Sequence, residues 1–218
     1  MPEGKLRLIF GGTFNPLHKG HTGAMEALDD VLKFHSVHFV LSARPPHKNE
    51  VSASVRDRYT MLELALSDYE HFYADDTEII RPTISYTIDT VRSFKRRFIN
   101  SNLSIVIGAD SLLKLHTWYR IEQWIDDINW IVLSRPGYDV GIANPLHDRV
   151  VATYEELKAS KGGAIWVFEG SDFQISSTEL RRCLQAVPHI NQEQQALLDS
   201  YLAPQVQEYI HTHSLYRL

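Results

Sequence analysis

Five short apolar runs, each followed by a longer stretch of helical periodicity, restrict this chain to few architectures. The runs are "LRLIF" (6–10), "SVHFVLS" (36–42), "LSIVIGA" (103–109), "WIVLS" (130–134) and "AIWVF" (164–168). Between them, "GAMEALDDVLKF" (23–34), "VRDRYTMLELALSD" (55–68) and "SYTIDTVRSFKRRF" (85–98) read as helices, as does "YRIEQWIDD" (119–127). Met25, Leu28, Val31 and Leu32, and likewise Met61, Leu62, Ala65 and Leu66, recur at three and four residues. The strands are apolar on both sides, as expected where helices cover both faces of a parallel sheet. Strands alternating with helices imply right-handed crossovers and a doubly wound, mostly parallel α/β sheet.

At 218 residues and 44% hydrophobic, the chain can bury a substantial core, and one domain over 1–218 is the expected count. Residues 139–163 read as an insertion with a short helix of its own ("TYEELKAS"), and 191–218 as a C-terminal helical segment interrupted at Pro204. A net charge of −5 lacks the basic balance of a nucleic-acid coat, so an anionic ligand must be held by local groups. The single cysteine, Cys183, excludes an internal disulfide framework and fits a reducing compartment. No signal peptide and no membrane-length apolar run is present, so the expectation is a cytoplasmic protein.

In doubly wound sheets, ligands bind beyond the carboxyl ends of the strands. "GGTFNPLHKGH" (11–21) lies at the end of the first strand. Gly11 and Gly12 allow close backbone approach, and the helix that follows offers free N–H groups to an anion. Thr13 adds a hydroxyl, and Asn15-Pro16 turns the chain into the helix. His18 and His21 share one helical face, with Gly20 leaving that face open to a flat group. These residues make a phosphate site with two imidazoles. A purely structural turn and a zinc pair are the competing readings. The zinc pair has no third ligand at a familiar spacing, and the dinucleotide fingerprint and the P-loop are both absent.

A second constellation, "FQISSTELRRCL" (173–184), follows the last strand. Ser176, Ser177 and Thr178 supply hydroxyls and Arg181 a fixed positive charge. Ser176 and Glu179 also form an S-x-x-E capping box, which is compatible with an anion site at the same helix start.

The stretch 11–21 resembles the H-x-G-H signature of the nucleotidyltransferase superfamily, carried on a Rossmann-like sheet. It is most similar to bacterial nicotinate-nucleotide adenylyltransferases, whose G-G-T-F-[DN]-P-x-H-x-G-H pattern is met in full. Ile175 to Arg181 matches that family's I-S-S-T-x-[IL]-R signature. "PPHK" (45–48), "SYTIDTV" (85–91), "IGADSLLKLHTWY" (107–119) and "SRPGY" (134–138) are similar to further family segments. One departure is "LSAR" (41–44), where the family carries a Pro-Asn-like segment; Ser42 and Arg44 stand there instead.

The resemblance implies adenylyl transfer from ATP to nicotinate mononucleotide, giving nicotinate adenine dinucleotide and pyrophosphate. It implies that His18 and His21 are catalytic. Gly11, Gly12, Thr13, Phe14, Gly20, Ser176, Ser177, Thr178 and Arg181 would join them on ATP. Ser42, His47, Lys48, Ser85, Tyr86, Thr87, Asp110, Trp118 and Tyr119 would hold the mononucleotide, with Trp118 stacked on the pyridine ring. Trp118 as a core anchor and Asp110 as a helix cap are the ordinary alternatives. Mg²⁺ would ride on the ATP phosphates, with no resident metal. The expected partners are these small molecules, with neither nucleic acid nor membrane, and self-association is left open. The rival functions are a sister nucleotidyltransferase for another acceptor and a nucleotide sensor without catalysis. "SYT", "TWY" and "PPHK" oppose the first, and two unbroken signatures oppose the second.

Overall fold

The computed structural model describes residues 4–44, 52–82, 84–134, 146–170, 175–187 and 189–217. Strand β1 (Lys5–Gly12) leads to helix α1 (Lys19–Leu32), then β2 (Ser36–Leu41), α2 (Val55–Leu66), β3 (Phe72–Asp75) and α3 (Thr87–Arg97). The chain continues through β4 (Ser101–Gly108), α4 (Ala109–Leu113), β5 (Asn129–Ser134), β6 (Val150–Val151), α5 (Tyr154–Ala159) and β7 (Ile165–Glu169). Helices α6 (Ser177–Gln185), α7 (Gln192–Tyr201) and α8 (Pro204–Thr212) follow. The seven strands form one sheet in the order β3-β2-β1-β4-β5-β7-β6, and every pairing is parallel.

Alternation along the strands sorts side chains between two cores. Leu8 and Phe10 of β1 and Val37, Phe39 and Leu41 of β2 pack with Met25, Leu28 and Leu62 from α1 and α2. Ile9 and Val40 point to the opposite face, with Ile105 and Ile107 of β4, Val91 and Phe94 of α3, and the indoles of Trp124 and Trp130. A third apolar group joins Met61 of α2 to Leu180, Leu198, Leu202, Val206 and Tyr216, seating the C-terminal helices against the sheet layer. Pro204 stands in the first turn of α8, where its missing N–H costs nothing.

Three features differ from the sequence expectation. Residues 119–127 are not an α-helix but two 3-10 turns, 121–123 and 125–127. Arg120 has φ 52°, which no right-handed helix accommodates, and two indoles take carbonyls that a helix would need. Trp124 Nε1 donates to Tyr119 O at 3.2 Å, and Trp130 Nε1 to Ile125 O at 3.1 Å. The short strands β3 and β6 were not visible as apolar runs. In the segment read as an insertion, 146–163 contributes β6 and α5, the latter capped by Thr153 and Glu156; residues 139–145 lie outside the described set.

The sheet order places the functional region. From β1 the chain steps outward through β2 to β3, then returns to the other side of β1 with β4. Beyond the carboxyl ends of β1 and β4, the loops diverge and leave a crevice. Gly11 and Gly12 close one of these strands, and Gly108 closes the other, with Asp110 two residues on.

Candidate active site

Three adjoining hollows occupy this crevice. The widest, about 840 Å³, is lined by Thr13, Phe14, His18, Gly20 and His21 from the first signature and by Ser176, Ser177, Thr178 and Arg181 from the second. The fold thus brings two segments more than 150 residues apart onto one cleft, as the two signatures require. Asp110, assigned by resemblance to the mononucleotide, stands in this histidine cleft.

His18 is the N-cap of α1 and His21 lies one turn on. Their rings are 3.8 Å apart between centroids, and the backbone N–H of His18 donates to His21 Nδ1 at 3.4 Å. His18 is only 6% exposed, and its Nδ1 is buried without a partner among the described residues. Burial, and then the neighbouring His21, push the His18 imidazole down to about 2. Burial pushes His21 down to about 4, against the opposing pull of the His18 backbone. Both rings are therefore neutral at pH 7 in the free protein. Phe14 meets His21 edge-on at 5.4 Å and holds a φ of 42°, unusual for a residue with a side chain.

The glycines work through space rather than through unusual backbone angles. A Cβ on Gly20 would stand 2.7 Å from Ile175 Cγ2 and 2.9 Å from His18 Nδ1. Gly20 thus lets α1 close against the residue preceding α6, rather than leaving an open face. A Cβ on Gly12 would lie 2.5 Å from the Phe14 ring, whereas nothing stands within 4 Å of the Gly11 position.

The second signature is docked onto the first. Ser176 caps α6, accepting from the Glu179 N–H at 3.2 Å, so the N-cap half of the expected box is formed. Ser177 Oγ donates to Pro16 O at 3.1 Å. Arg181 donates to Asn15 O at 2.8 Å and to Thr178 Oγ1 at 3.0 Å.

Gly11 and Gly12 line a second, smaller hollow of about 200 Å³, together with Thr13, Ser42, Ser85, Thr87, Trp118 and Glu78. The third, about 410 Å³, is aromatic: Tyr86, Trp118, Tyr119 and Trp124 surround Ser42, Ser85 and Thr87. Tyr86 and Tyr119 stack at 4.2 Å and 22°. Trp118 packs at 6.3 Å from Trp124 and 6.1 Å from Trp130, so it is anchored in the core while one part faces the hollow. Ser85 and Arg44 are cross-linked through backbone and hydroxyl, and the Arg44 guanidinium donates to Arg81 O at 2.9 Å. Arg44 is thereby spent on the loop, while Ser42 faces two hollows. His47 and Lys48 lie outside the described residues.

Four residues that the sequence reading did not assign to the site organise it. Arg58 of α2, 1% exposed, donates to Thr13 O at 2.9 Å, to Ser42 O at 2.8 Å and to Ala43 O at 3.3 Å, tying the ends of β1 and β2 together. Asn15 and Tyr216 share a buried 2.7 Å hydrogen bond. Glu78 is buried beneath the small hollow. A signal for Arg58 existed, because it falls on the buried stripe of α2 with Met61, Leu62 and Leu66.

Known proteins resemble this chain along nearly its whole length. The cytidylyltransferase-like family matches residues 9–183. A probable nicotinate-nucleotide adenylyltransferase of Neisseria gonorrhoeae is 35% identical over 95% of this chain and 96% of its own length. One of Escherichia coli O157:H7 is 35% identical over 97% of this chain and 99% of its own. Among solved structures, the nicotinic acid mononucleotide adenylyltransferase of Plasmodium falciparum complexed with NaAD superposes with a TM-score of 0.74 at 17% identity, covering 97% of both chains. At that identity the superposition speaks to the fold, which it shares along nearly its whole length. The chain belongs to the cytidylyltransferase-like family, within its nicotinate-nucleotide adenylyltransferase branch.

Proposed function

We infer that this protein transfers the adenylyl group of ATP to nicotinate mononucleotide, releasing pyrophosphate and nicotinate adenine dinucleotide. The observation that carries the reading is the order of the hollows. A polar cleft with paired histidines leads through a narrow waist at Thr13 to an aromatic pocket. A triphosphate fits the first, and a mononucleotide spans the waist with its ring in the last.

The acceptor is a phosphate monoester, largely dianionic at neutral pH because its second pKa is near ~6. Its oxygen attacks the α-phosphorus of ATP. The bond from that phosphorus to the bridging oxygen of the β-phosphate breaks, and pyrophosphate leaves with the electron pair. No proton has to be abstracted, which is consistent with a site whose histidines are neutral and have no carboxylate partner among the contacts described.

Catalysis then rests on placement and on neutralising charge. His18 and His21 meet the transferred α-phosphoryl group, with His21 on its developing charge. Arg181, with Ser176 to Thr178 and the start of α6, holds the β- and γ-phosphates. Trp118 stacks on the pyridine ring, and Ser42, Ser85, Thr87 and the backbone around Tyr86 and Tyr119 receive its carboxylate and the sugar side. ATP enters as its Mg²⁺ complex. Asp110 is the acidic side chain lining the cleft among the described residues, and a single carboxylate suits a metal that keeps its phosphate and water ligands.

The test is pyrophosphate release from MgATP, run in parallel with nicotinate mononucleotide and nicotinamide mononucleotide. Turnover restricted to the nicotinate form is expected. Turnover with neither would overturn the reading, and equal turnover with both would overturn the carboxylate recognition within it.

A further inference from the structure

The waist between the two ends of the site holds a carboxyl group that the mechanism above does not use. Glu78, just after β3, is 7% exposed and lines the small hollow with Gly11, Thr13, Ser42, Ser85 and Trp118. Its Oε1 accepts from the Thr90 hydroxyl at 2.8 Å. Its Oε2 is buried and has no hydrogen-bond partner among the described residues. A buried polar atom left in this state calls for an explanation, and an absent ligand is one of the standard ones. Burial raises the Glu78 carboxyl above its ordinary value, opposed by the hydroxyls of Thr90 and Ser85, the charge of Arg81 and the Ser42 hydroxyl.

The hollows share residues, and this fixes what passes over Glu78. Thr13 lines both the histidine cleft and the waist, while Ser42, Ser85, Thr87 and Trp118 line both the waist and the aromatic pocket. A mononucleotide with its phosphate at the histidines and its ring at Trp118 has its sugar in the waist. Ile9, Val40, Ile105, Val106 and Ile107 supply apolar walls there, and among the described residues Glu78 is the one carboxyl among the hydroxyls of Thr13, Ser42, Ser85, Thr87 and Thr90.

We propose that Glu78 is the sugar-binding residue of this site, its unpartnered Oε2 accepting a hydrogen bond from a ribose hydroxyl of the mononucleotide. The proposal rests on the adenylyl-transfer reading and adds to it a requirement for ribose. In apolar surroundings, a site built around a substrate hydroxyl discriminates strongly against the analogue that lacks it.

The experiment compares nicotinate mononucleotide with its 2′-deoxy and 3′-deoxy analogues, on the wild-type protein and on Glu78→Met and Glu78→Gln. Loss of the contacted hydroxyl should lower wild-type kcat/KM by about 10- to 100-fold, mostly through KM. Glu78→Met should lose a comparable factor with the natural substrate and nothing further with the sensitive analogue. Glu78→Gln, which keeps an acceptor, should fall between the two. Wild-type indifference to both analogues, within about threefold, would overturn the proposal even if Glu78→Met did not fold. Losses from variant and analogue that multiply would overturn it as well. Its failure alone would leave wild-type turnover of the natural mononucleotide intact, whereas absence of that turnover would overturn the parent reading and this proposal together.

Discussion

The hydroxyl of Tyr216 donates to Asn15 Oδ1 at 2.7 Å across 201 residues of sequence, inside a buried pocket closed by Met61. Asn15 also donates to Ser52 Oγ at 3.1 Å, and its carbonyl accepts from Arg181. The turn between β1 and α1 is thus held from three directions. Tyr216→Phe should cost about 1–3 kcal/mol of stability, since it leaves Asn15 Oδ1 buried without that donor. Denaturant titration measures this, and steady-state assays of the same variant should show a raised KM for ATP. An unchanged unfolding midpoint would mean that the hydrogen bond is not worth its burial.

Removal of the His21 imidazole tests the charge-stabilising role directly. His21→Ala should lower kcat by roughly 10²–10³, the scale for losing one preorganised donor at a reacting group. Binding of the mononucleotide, followed by quenching of Trp118 fluorescence, should stay near the wild-type level. Turnover close to wild type would remove His21 from the mechanism.

The buried histidine pair makes stability depend on pH in a defined direction. Both imidazoles sit below the ordinary value of 6.5 when folded, so between 6.5 and about 4 the unfolded chain binds more protons than the folded one. Stability therefore falls as pH drops through that window, by on the order of 3 kcal/mol for His21. His18→Gln/His21→Gln should flatten this slope in urea titrations at pH 7, 6 and 5. At neutral pH, MgATP places negative charge against the pair, so binding should be accompanied by proton uptake. Calorimetry in buffers of different ionisation enthalpy measures that uptake, and the double variant should lose it.

Gly20→Ala places a methyl group where Ile175 and His18 already touch. The expected result is displacement of α6 from the first signature, with KM for ATP rising more than tenfold on the scale of a misplaced binding element. Ile175→Ala in the same chain should restore part of the loss, because it empties one side of the clash. No recovery would locate the damage at His18 instead.

Much of this architecture is legible in the residues. The five apolar strands are readable because parallel strands buried on both faces carry continuous apolar runs, and β2 is buried along its whole length. β3 escapes that rule: it is a four-residue edge strand whose Tyr73 is 47% exposed. The segment 119–127 misleads because a spacing of three or four residues suits 3-10 turns as well as an α-helix, and the left-handed Arg120 leaves no mark in the periodicity. The signatures located the cleft residues because each is a dense run of chemistry-bearing side chains at narrow spacing, and both runs line one cleft. Glu78 and Tyr216 gave no such warning: buried polar groups acquire their meaning from partners distant in the chain, and a one-dimensional pattern does not record them.

Arg58 couples the two ends of the crevice. Its guanidinium is planar and rigid, and one nitrogen bonds the carbonyls of both Thr13 and Ser42. Thr13 lines the histidine cleft and Ser42 the aromatic pocket. Arg58 therefore adds a rigid brace to the main-chain hydrogen bond from Ser42 N–H to Gly12 O, and the two ends of the crevice are held together. A shift of α2 would carry the cleft end and the pocket end as one unit, so their alignment would survive motions that misalign two separately anchored loops.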